Sequence, residues 1–587
     1  MFFGPTTRPL FGWLHRPELP ETSSVGLVIC SPLGYEAICS HRTLRHLARA
    51  AAAHGIPALR FDYDGTGDSA GDDTDPDRLA TWLSNIQEAV THLRSQTHVE
   101  SVCVLGIRLG ATMALLASQN RTDVSAVVLI NPVVVGRKYL RELRALAATS
   151  SAETATRNSD ADIQEAAGFI TTAATRLAIG GLALTREVLG KAPPRVLFLD
   201  RTDLPSEDTL AAALRDMGAS VERHPMPGYA DMLRDAQDAV VPEDSVRDIV
   251  QWICTWRALV PARIPATPDV TCSMDWPATA NAGRLRETVV NLGATDPIFG
   301  LLTEACDRAD AARPAPALLL LNAGAVHHIG PNRLYVQIAR HLAARGFKVV
   351  RMDLPGLGDS PAKPGLPEHQ IYPDHPERLI LQAIESVRRD LGSTEIHCAG
   401  ICSGAYHSLK AAVAGAPLAS VIPINPLTFF WKPEMSLEAP AFRDTAEVMR
   451  YRRTALSAKS LRKLFTGQVD LVNLATIFAR FALRRVRSIV RRIARALGIA
   501  MGEDLAAELR RIRKQGTRMH FVFASTDPGP SLLREEAGGE VHRLSRLGAL
   551  TISFIEGADH TFTPFASQIE LRDLITAILT AQPPFLL

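Results

Sequence analysis

Short apolar runs alternate with longer amphipathic stretches along this chain, and the whole alternation occurs twice. Val25–Ile29 reads as a strand, Leu44–His54 as a helix, Ala58–Phe61 as a strand, Leu79–Arg94 as a helix and Val102–Leu105 as a strand. The same order returns at Ala317–Leu321, Leu334–Arg345, Val349–Met352, Pro376–Leu391 and Ile396–Ala399. The strand runs are almost continuously apolar, not alternating, which predicts parallel strands covered on both faces by crossover helices. The expected fold class is α/β, with two doubly wound, mainly parallel sheets in tandem. Domains are expected over 1–259 and 286–587. Between them, Pro261, Pro265, Pro268 and Pro277 mark 260–285 as a linker, in which Cys272 has no evident partner.

The repetition extends to individual residues. Arg60-Phe61-Asp62-Tyr63-Asp64-Gly65-Thr66-Gly67-Asp68-Ser69 corresponds to Arg351-Met352-Asp353-Leu354-Pro355-Gly356-Leu357-Gly358-Asp359-Ser360 at an offset of 291. Gly106-Ile107-Arg108-Leu109-Gly110 matches Gly400-Ile401-Cys402-Ser403-Gly404, and Ile130-Asn131-Pro132 matches Ile424-Asn425-Pro426, both at 294. One three-residue indel separates the two registers, so the chain is an internal duplication.

Composition agrees with two ordinary globular domains: 587 residues, 46% hydrophobic, 21% charged, mean hydropathy +0.04. This excludes a disordered or low-complexity chain. Eight cysteines without a CxxC pair give neither a disulfide framework nor zinc-ligand spacing, and a reducing compartment is expected. Residues 1–18 lack the apolar core of a secretory peptide, and no apolar run reaches the ~18 residues of a membrane span. The expectation is a cytoplasmic protein, with no cofactor and no metal.

Candidate chemistry lies in the second copy. A strand, then Gly-x-nucleophile-x-Gly, then a helix is the arrangement that holds a nucleophile in a strained turn at the sheet edge. Ile396–Ala399 leads directly into Gly400-Ile401-Cys402-Ser403-Gly404, with the small, helix-compatible Ala405–Ala414 behind it. Cys402 is the candidate nucleophile, whereas Cys398 falls within the strand and reads as core. This arrangement resembles the α/β-hydrolase superfamily, once per copy, with cysteine where most members have serine. The superfamily order of nucleophile, acid and histidine implies Asp527, after His520–Ala524, as the acid and His560, after Ile552–Ile555, as the base. Asp559 is the weaker alternative acid, because adjacent side chains on a strand-exit loop diverge. An oxyanion hole is expected from the backbone N–H groups of Ser403 and Ala323, with Gly324 or Ala325 as alternatives to Ala323. His327 and His328 are expected to be exposed loop residues, with a direct catalytic role the less favoured reading.

The first copy departs from the pattern at the same positions. Arg108 stands at its elbow, and a guanidinium cannot attack a carbonyl. Asp203 matches the acid, but Asp231 stands where the second copy has His560. This half is expected to be catalytically degenerate. Arg108 is expected to pair with Asp203 and Asp231 as a buried structural bridge; the alternative is that it binds a carboxylate or phosphate.

α/β hydrolases commonly insert a lid between the elbow half and the acid strand. Here 72 residues separate Asn131 from Asp203 and 102 separate Asn425 from Asp527. The expected cap, 429–514, is basic: Phe442–Lys514 holds 18 Lys/Arg and 6 Asp/Glu, so the net charge of +2 conceals a polarised molecule. Within it Ala482, Val486, Ile489, Val490, Ile493 and Leu497 recur at helical spacing, opposite Arg480, Arg484, Arg487, Arg491 and Arg495. A lid helix explains the apolar stripe. The arginine face also suits an anionic partner, an acyl carrier protein or acyl-CoA, with membrane contact at most peripheral. Nucleic acid is disfavoured, since no aromatic stacking platform accompanies the charge. The basic cap is similar to that of hydrolases associated with bacterial exopolysaccharide or polyketide clusters. The expected function is acyl transfer through an acyl-cysteine, as an esterase or thioesterase acting on an ester or acyl thioester. The alternatives are an acyltransferase with a non-water acceptor and a non-catalytic scaffold or carrier-binding pseudo-enzyme.

Overall fold

The computed structural model describes residues 1–119, 121–205 except 151–162, 208–261, 273–277, 283–294, 297–307, 314–432, 435 and 503–581. The greater part of the expected cap, including the arginine-rich stretch from Arg480 to Arg495, lies outside the described residues, as does Cys272.

The first half is an eight-stranded sheet in the order Phe2–Phe3, Leu10–His15, Ala58–Phe61, Val25–Cys30, Ser101–Ile107, Val124–Ile130, Arg195–Arg201, Ser220–Met226. Leu10–His15 joins antiparallel to Ala58–Phe61, and the following strands are all parallel. The second half repeats this plan with nine strands: Ser273–Pro277, Arg284–Asn291, Phe299–Ala305, Lys348–Met352, Ala317–Leu321, Ile396–Ile401, Ser420–Ile424, Arg518–Ala524, Leu550–Ile555. Val25–Cys30 and Ala317–Leu321 are buried along their whole length, which is why their sequences carry no polar alternation. In the first half, helices Tyr35–Ala53 and Glu243–Cys254 pack on one face of the sheet, and Arg78–Thr97 and Leu109–Ser118 on the other. In the second, Leu334–Ala343 and Phe565–Thr580 face Pro376–Leu391 and Ser403–Val413 across the sheet.

The proline-rich stretch expected as a linker is partly built into both halves. Leu259–Pro261 pairs antiparallel with Glu21–Ser23, and Ser273–Pro277 forms the edge of the second sheet against Arg284–Asn291. Proline lacks a ladder donor but is tolerated at strand ends and edges, so Pro261 and Pro277 do not prevent pairing.

The two halves meet through equivalent surfaces. Arg60 pairs with Asp359, and Arg351, its counterpart in the repeat, pairs with Asp68, the counterpart of Asp359. His328 bridges the seam, with Nδ1 2.7 Å from Asp353 and Nε2 2.6 Å from Asp68. Arg333 donates to the carbonyls of Gly65, Gly67, Ser69 and Gly71 at 2.7–3.0 Å, clasping the first half's glycine-rich turn. Burial alone would push the His328 imidazole down, but Asp68 and Asp353 outweigh it and raise it to about 10. His328 is therefore an imidazolium at neutral pH, donating from both nitrogens.

Candidate active site

The elbow of the second half is built by local geometry. Ile396–Ile401 ends at Cys402, which has φ 58° and ψ −114° and is the N-cap of helix Ser403–Val413. A non-glycine residue in this region is strained and persists only where its surroundings impose it. The flanking glycines supply that setting. A Cβ on Gly400 would come within 2.5 Å of the Gly404 carbonyl carbon, and one on Gly404 within 2.8 Å of the Leu321 and Asn322 carbonyl oxygens. Below the turn, the buried Tyr335 hydroxyl accepts from the Ile401 N–H and donates to the Leu321 carbonyl, both at 3.0 Å. Cys402 is half-buried, whereas Cys398 is buried in the strand, and desolvation pushes its thiol far up.

His560 and Asp527 meet although 33 residues separate them: His560 Nδ1 donates to Asp527 Oδ2 at 2.6 Å. The other Asp527 oxygen accepts from the Gly529 N–H at 2.8 Å, so the carboxylate is held from both sides. Asn425 fixes the histidine turn, donating to the His560 carbonyl and accepting from the Ala524 N–H, each at 2.8 Å. His560 Nε2 is buried without a hydrogen-bond partner among the described residues. Burial acts to lower the imidazole, but negative charge at Cys402 and the bond to Asp527 outweigh it and hold His560 well above the usual histidine range. Asp559, the weaker alternative acid, is engaged by the Thr563 N–H at 2.7 Å.

The oxyanion loop also takes a definite form. The Gly324 N–H is spent on Ser403 Oγ at 2.9 Å, and Ser403 Oγ donates in turn to the Asn322 carbonyl at 3.3 Å. Gly324 is thereby removed as a donor to substrate, while Ala323 is buried beside the elbow. Three aromatic residues absent from the sequence expectations flank this region. Tyr372 stacks on Trp431 with ring centroids 4.0 Å apart and meets Tyr406 edge-on at 5.3 Å. Its hydroxyl is buried without a partner among the described residues, and after burial the charge of Cys402 is the next influence raising its pKa. No periodicity marks Tyr372, because the segment before Pro376–Leu391 is irregular. Asn425 was foreshadowed only by its place in the repeated Ile-Asn-Pro.

Two expectations fail at the seam. His327 and His328 are buried, not exposed: His327 stacks on His41 of the first half at 3.9 Å, and His328 is bound between Asp68 and Asp353. In the first half, Arg108 keeps the elbow backbone, with φ 55° and ψ −122°. Its partners are not Asp203 and Asp231 but Glu36, at 2.9 Å from Nε, and Glu142. Asp203 pairs with Arg201 at 2.7 Å, and Asp231 lies 3.7 Å from Arg234 on the surface. Glu36 lies in the first turn of helix Tyr35–Ala53 and Glu142 in helix Gly136–Ser150, so the guanidinium takes the carboxylates of the two helices within its reach. With two carboxylates already bound, Arg108 offers little to an anionic ligand.

His328, Asp353 and Asp359 lie close enough together to share a cation. Both His328 nitrogens are already engaged by carboxylates, and Arg60 and Arg351 supply positive charge to the same cluster, so the donor set is met by the protein itself. Among the described residues no helix is long and apolar enough to cross a membrane.

Residues 38–169 match the family model described as serine aminopeptidase, S33, and residues 318–571 match that described as alpha/beta hydrolase family. No curated protein matches the chain. Similar solved structures include Est1E from Butyrivibrio proteoclasticus bound to ferulic acid (16% identity, 43% of this chain and 98% of that one, TM-score 0.33). Others are proline iminopeptidase from Mycobacterium smegmatis (16%, 50% and 97%, TM-score 0.31) and mouse alpha/beta hydrolase domain-containing protein 10 (14%, 43% and 98%, TM-score 0.28). With a sheet of the same strand order in each half and a family model matched by each, the chain belongs to the α/β-hydrolase superfamily twice over and is an enzyme of hydrolase type.

Proposed function

We propose that the second half hydrolyses an ester or acyl thioester through an acyl-cysteine at Cys402. The observation that carries this reading is the His560–Asp527 contact at 2.6 Å, which leaves the other imidazole nitrogen unpartnered beside a thiol held on a strained elbow. In the proposed cycle, the Cys402 thiolate attacks the carbonyl carbon and forms a C–S bond while His560 holds the thiol proton. The oxyanion accepts from the Ser403 and Ala323 N–H groups. Collapse breaks the bond to the leaving thiolate or alkoxide, which takes the proton from His560. Water then gives a proton to His560 and attacks the acyl-cysteine, releasing the carboxylic acid and returning the proton to the thiol. Asp527 keeps Nδ1 protonated so that Nε2 is the working nitrogen.

Incubation with a panel of acyl thioesters and esters, followed by intact mass measurement, tests the reading. One acyl adduct on Cys402 is expected, and a turned-over substrate without any adduct on trapping at short times argues against it. His560→Ala is expected to lower acylation and deacylation by ~10²–10⁴-fold with the fold intact. Asp527→Asn is expected to lower kcat while shifting the pH–rate profile, since the imidazole loses the partner that raises it.

The anionic face of the substrate is proposed to be a carrier, engaged by the arginines of the cap. Turnover of carrier-bound thioester is then expected to fall as salt screens the charges over ~8–10 Å, while a small neutral thioester is unaffected. Equal salt dependence for both substrates would remove the carrier from the proposal.

A further inference from the structure

A cavity of about 150 Å³ lies at the seam, against the first half and away from Cys402. Aromatic and branched side chains make most of its wall, among them Trp13, Phe61, Trp82, Tyr139, Phe169 and Ile170. The loop after Val25–Cys30 forms one side and the hairpin of Ile163–Ala166 and Phe169–Thr172 another. His327, His328 and Asp359 of the second half complete it.

Three polar atoms of residues in this wall are buried without a hydrogen-bond partner among the described residues: the Trp13 Nε1–H donor, the Glu36 Oε2 acceptor and His41 Nε2, the last lying 3.5 Å from Asp359. Buried polar atoms in a folded protein are ordinarily met, so an unmet donor and acceptor in a single cavity point to an occupant that supplies both. Several charges nearby are already paired. Glu36 Oε1 accepts from Arg108 at 2.9 Å, Arg60 pairs with Asp359, and His328 is held between Asp68 and Asp353. An anion entering the cavity would lose its hydration, while the donors of Arg60, Arg333 and His328 are already taken by Asp359, by backbone carbonyls and by Asp68 and Asp353. The volume is that of a cavity that takes a benzene-sized body, and ring walls favour edge-on and offset contacts with an arene.

We infer that the first half, whose elbow holds Arg108 in place of a nucleophile, binds a small neutral arene carrying a hydroxyl group, which donates to Glu36 or accepts from Trp13. The ligand is retained, not turned over, because nothing at this elbow can attack it. Residues of both halves line the cavity, so occupancy also favours the docked arrangement of the two halves.

Calorimetric titration of the full chain with phenol, 4-cresol and benzoate tests the inference. Saturable one-to-one binding of phenol or cresol is expected, unchanged in Cys402→Ala, with benzoate bound at least about tenfold more weakly for the desolvation it suffers. Ile170→Trp fills the cavity and is expected to abolish binding. If that variant does not fold, a diazirine-bearing phenol photolabels the wild-type protein instead, with adducts expected in 163–172 or 327–329. The inference is overturned by an absence of saturable binding, by unchanged affinity in a folded Ile170→Trp variant, or by labelling confined to the surroundings of Cys402. Because Cys402→Ala serves as a background, failure here is distinct from failure of the hydrolase reading.

Discussion

Cys402→Ala is expected to lower turnover by about 10⁶-fold, the scale seen when a catalytic nucleophile is removed, and to abolish the acyl adduct. The elbow imposes this dependence. Its strained turn presents one side chain, at φ 58°, to the space that His560 Nε2 faces, and the neighbouring Ser403 is buried with its hydroxyl bound to the Gly324 N–H and the Asn322 carbonyl. Ser403 therefore cannot take over. Alanine is compatible with the surrounding packing, so the variant is expected to keep the wild-type melting temperature and, in the inactive state, to bind substrate. An acyl adduct of full intensity elsewhere in the folded variant, for instance on the half-buried Cys306, would falsify the assignment.

Asp68→Ala is expected to cost about 3–5 kcal/mol, the scale for removing one partner of a buried ion pair. Asp68 receives both Arg351 and His328, and all three side chains are at most 2% exposed, so the substitution takes one carboxylate from each of two buried cations and leaves Arg351 with Glu287 and His328 with Asp353. Urea unfolding should show the loss as a lower midpoint. Replacing Asp68 and Arg351 together by leucine and methionine is expected to recover much of it, because the desolvation cost then disappears with the charges. The same cluster makes stability pH-dependent. The His328 pKa is raised in the folded protein from its ordinary 6.5 to about 10, so its contribution is complete below the unfolded value and is lost as pH rises through about 10. The wild-type midpoint should accordingly fall across the alkaline range, and His328→Gln should flatten that fall. An unchanged alkaline slope in the variant would assign the effect to other groups.

Much of this protein could be read from local sequence, and the reason is physical. The elbow needs glycine at positions 400 and 404 because helix and strand backbones touch there, within 2.5–2.8 Å of any added Cβ, and a requirement of that kind leaves its mark within five residues. The duplicated Asp-x-x-Gly-x-Gly-Asp turn is equally local: Asp353 Oδ2 accepts from the Asp359 N–H at 2.9 Å, as Asp62 Oδ2 does from Asp68 in the first half. Strands that are buried on both faces must be apolar throughout, so the two sheets announced themselves as well. The pairing of His560 with Asp527 was reached through the order of residues in a known superfamily, since nothing near either residue requires the other.

What only the tertiary structure decided concerns groups that share a low-dielectric space without being neighbours in sequence. Arg108 was matched in sequence to Asp203 and Asp231 by analogy with a triad, yet a half-buried guanidinium takes the carboxylates its own length can reach, and those belong to Glu36 and Glu142. His327 and His328 sit on a loop of the second half that would be exposed in an isolated domain; the first half buries them, because the glycine-rich turns of the two halves pack against each other. The proline-rich stretch contributes strands because edge positions do not demand every backbone donor. Fold and elbow follow from short-range sterics and the burial of apolar faces, which a linear sequence records. Charge partners, the seam and its cavity follow from which surfaces meet, and that is set by the packing of the whole chain.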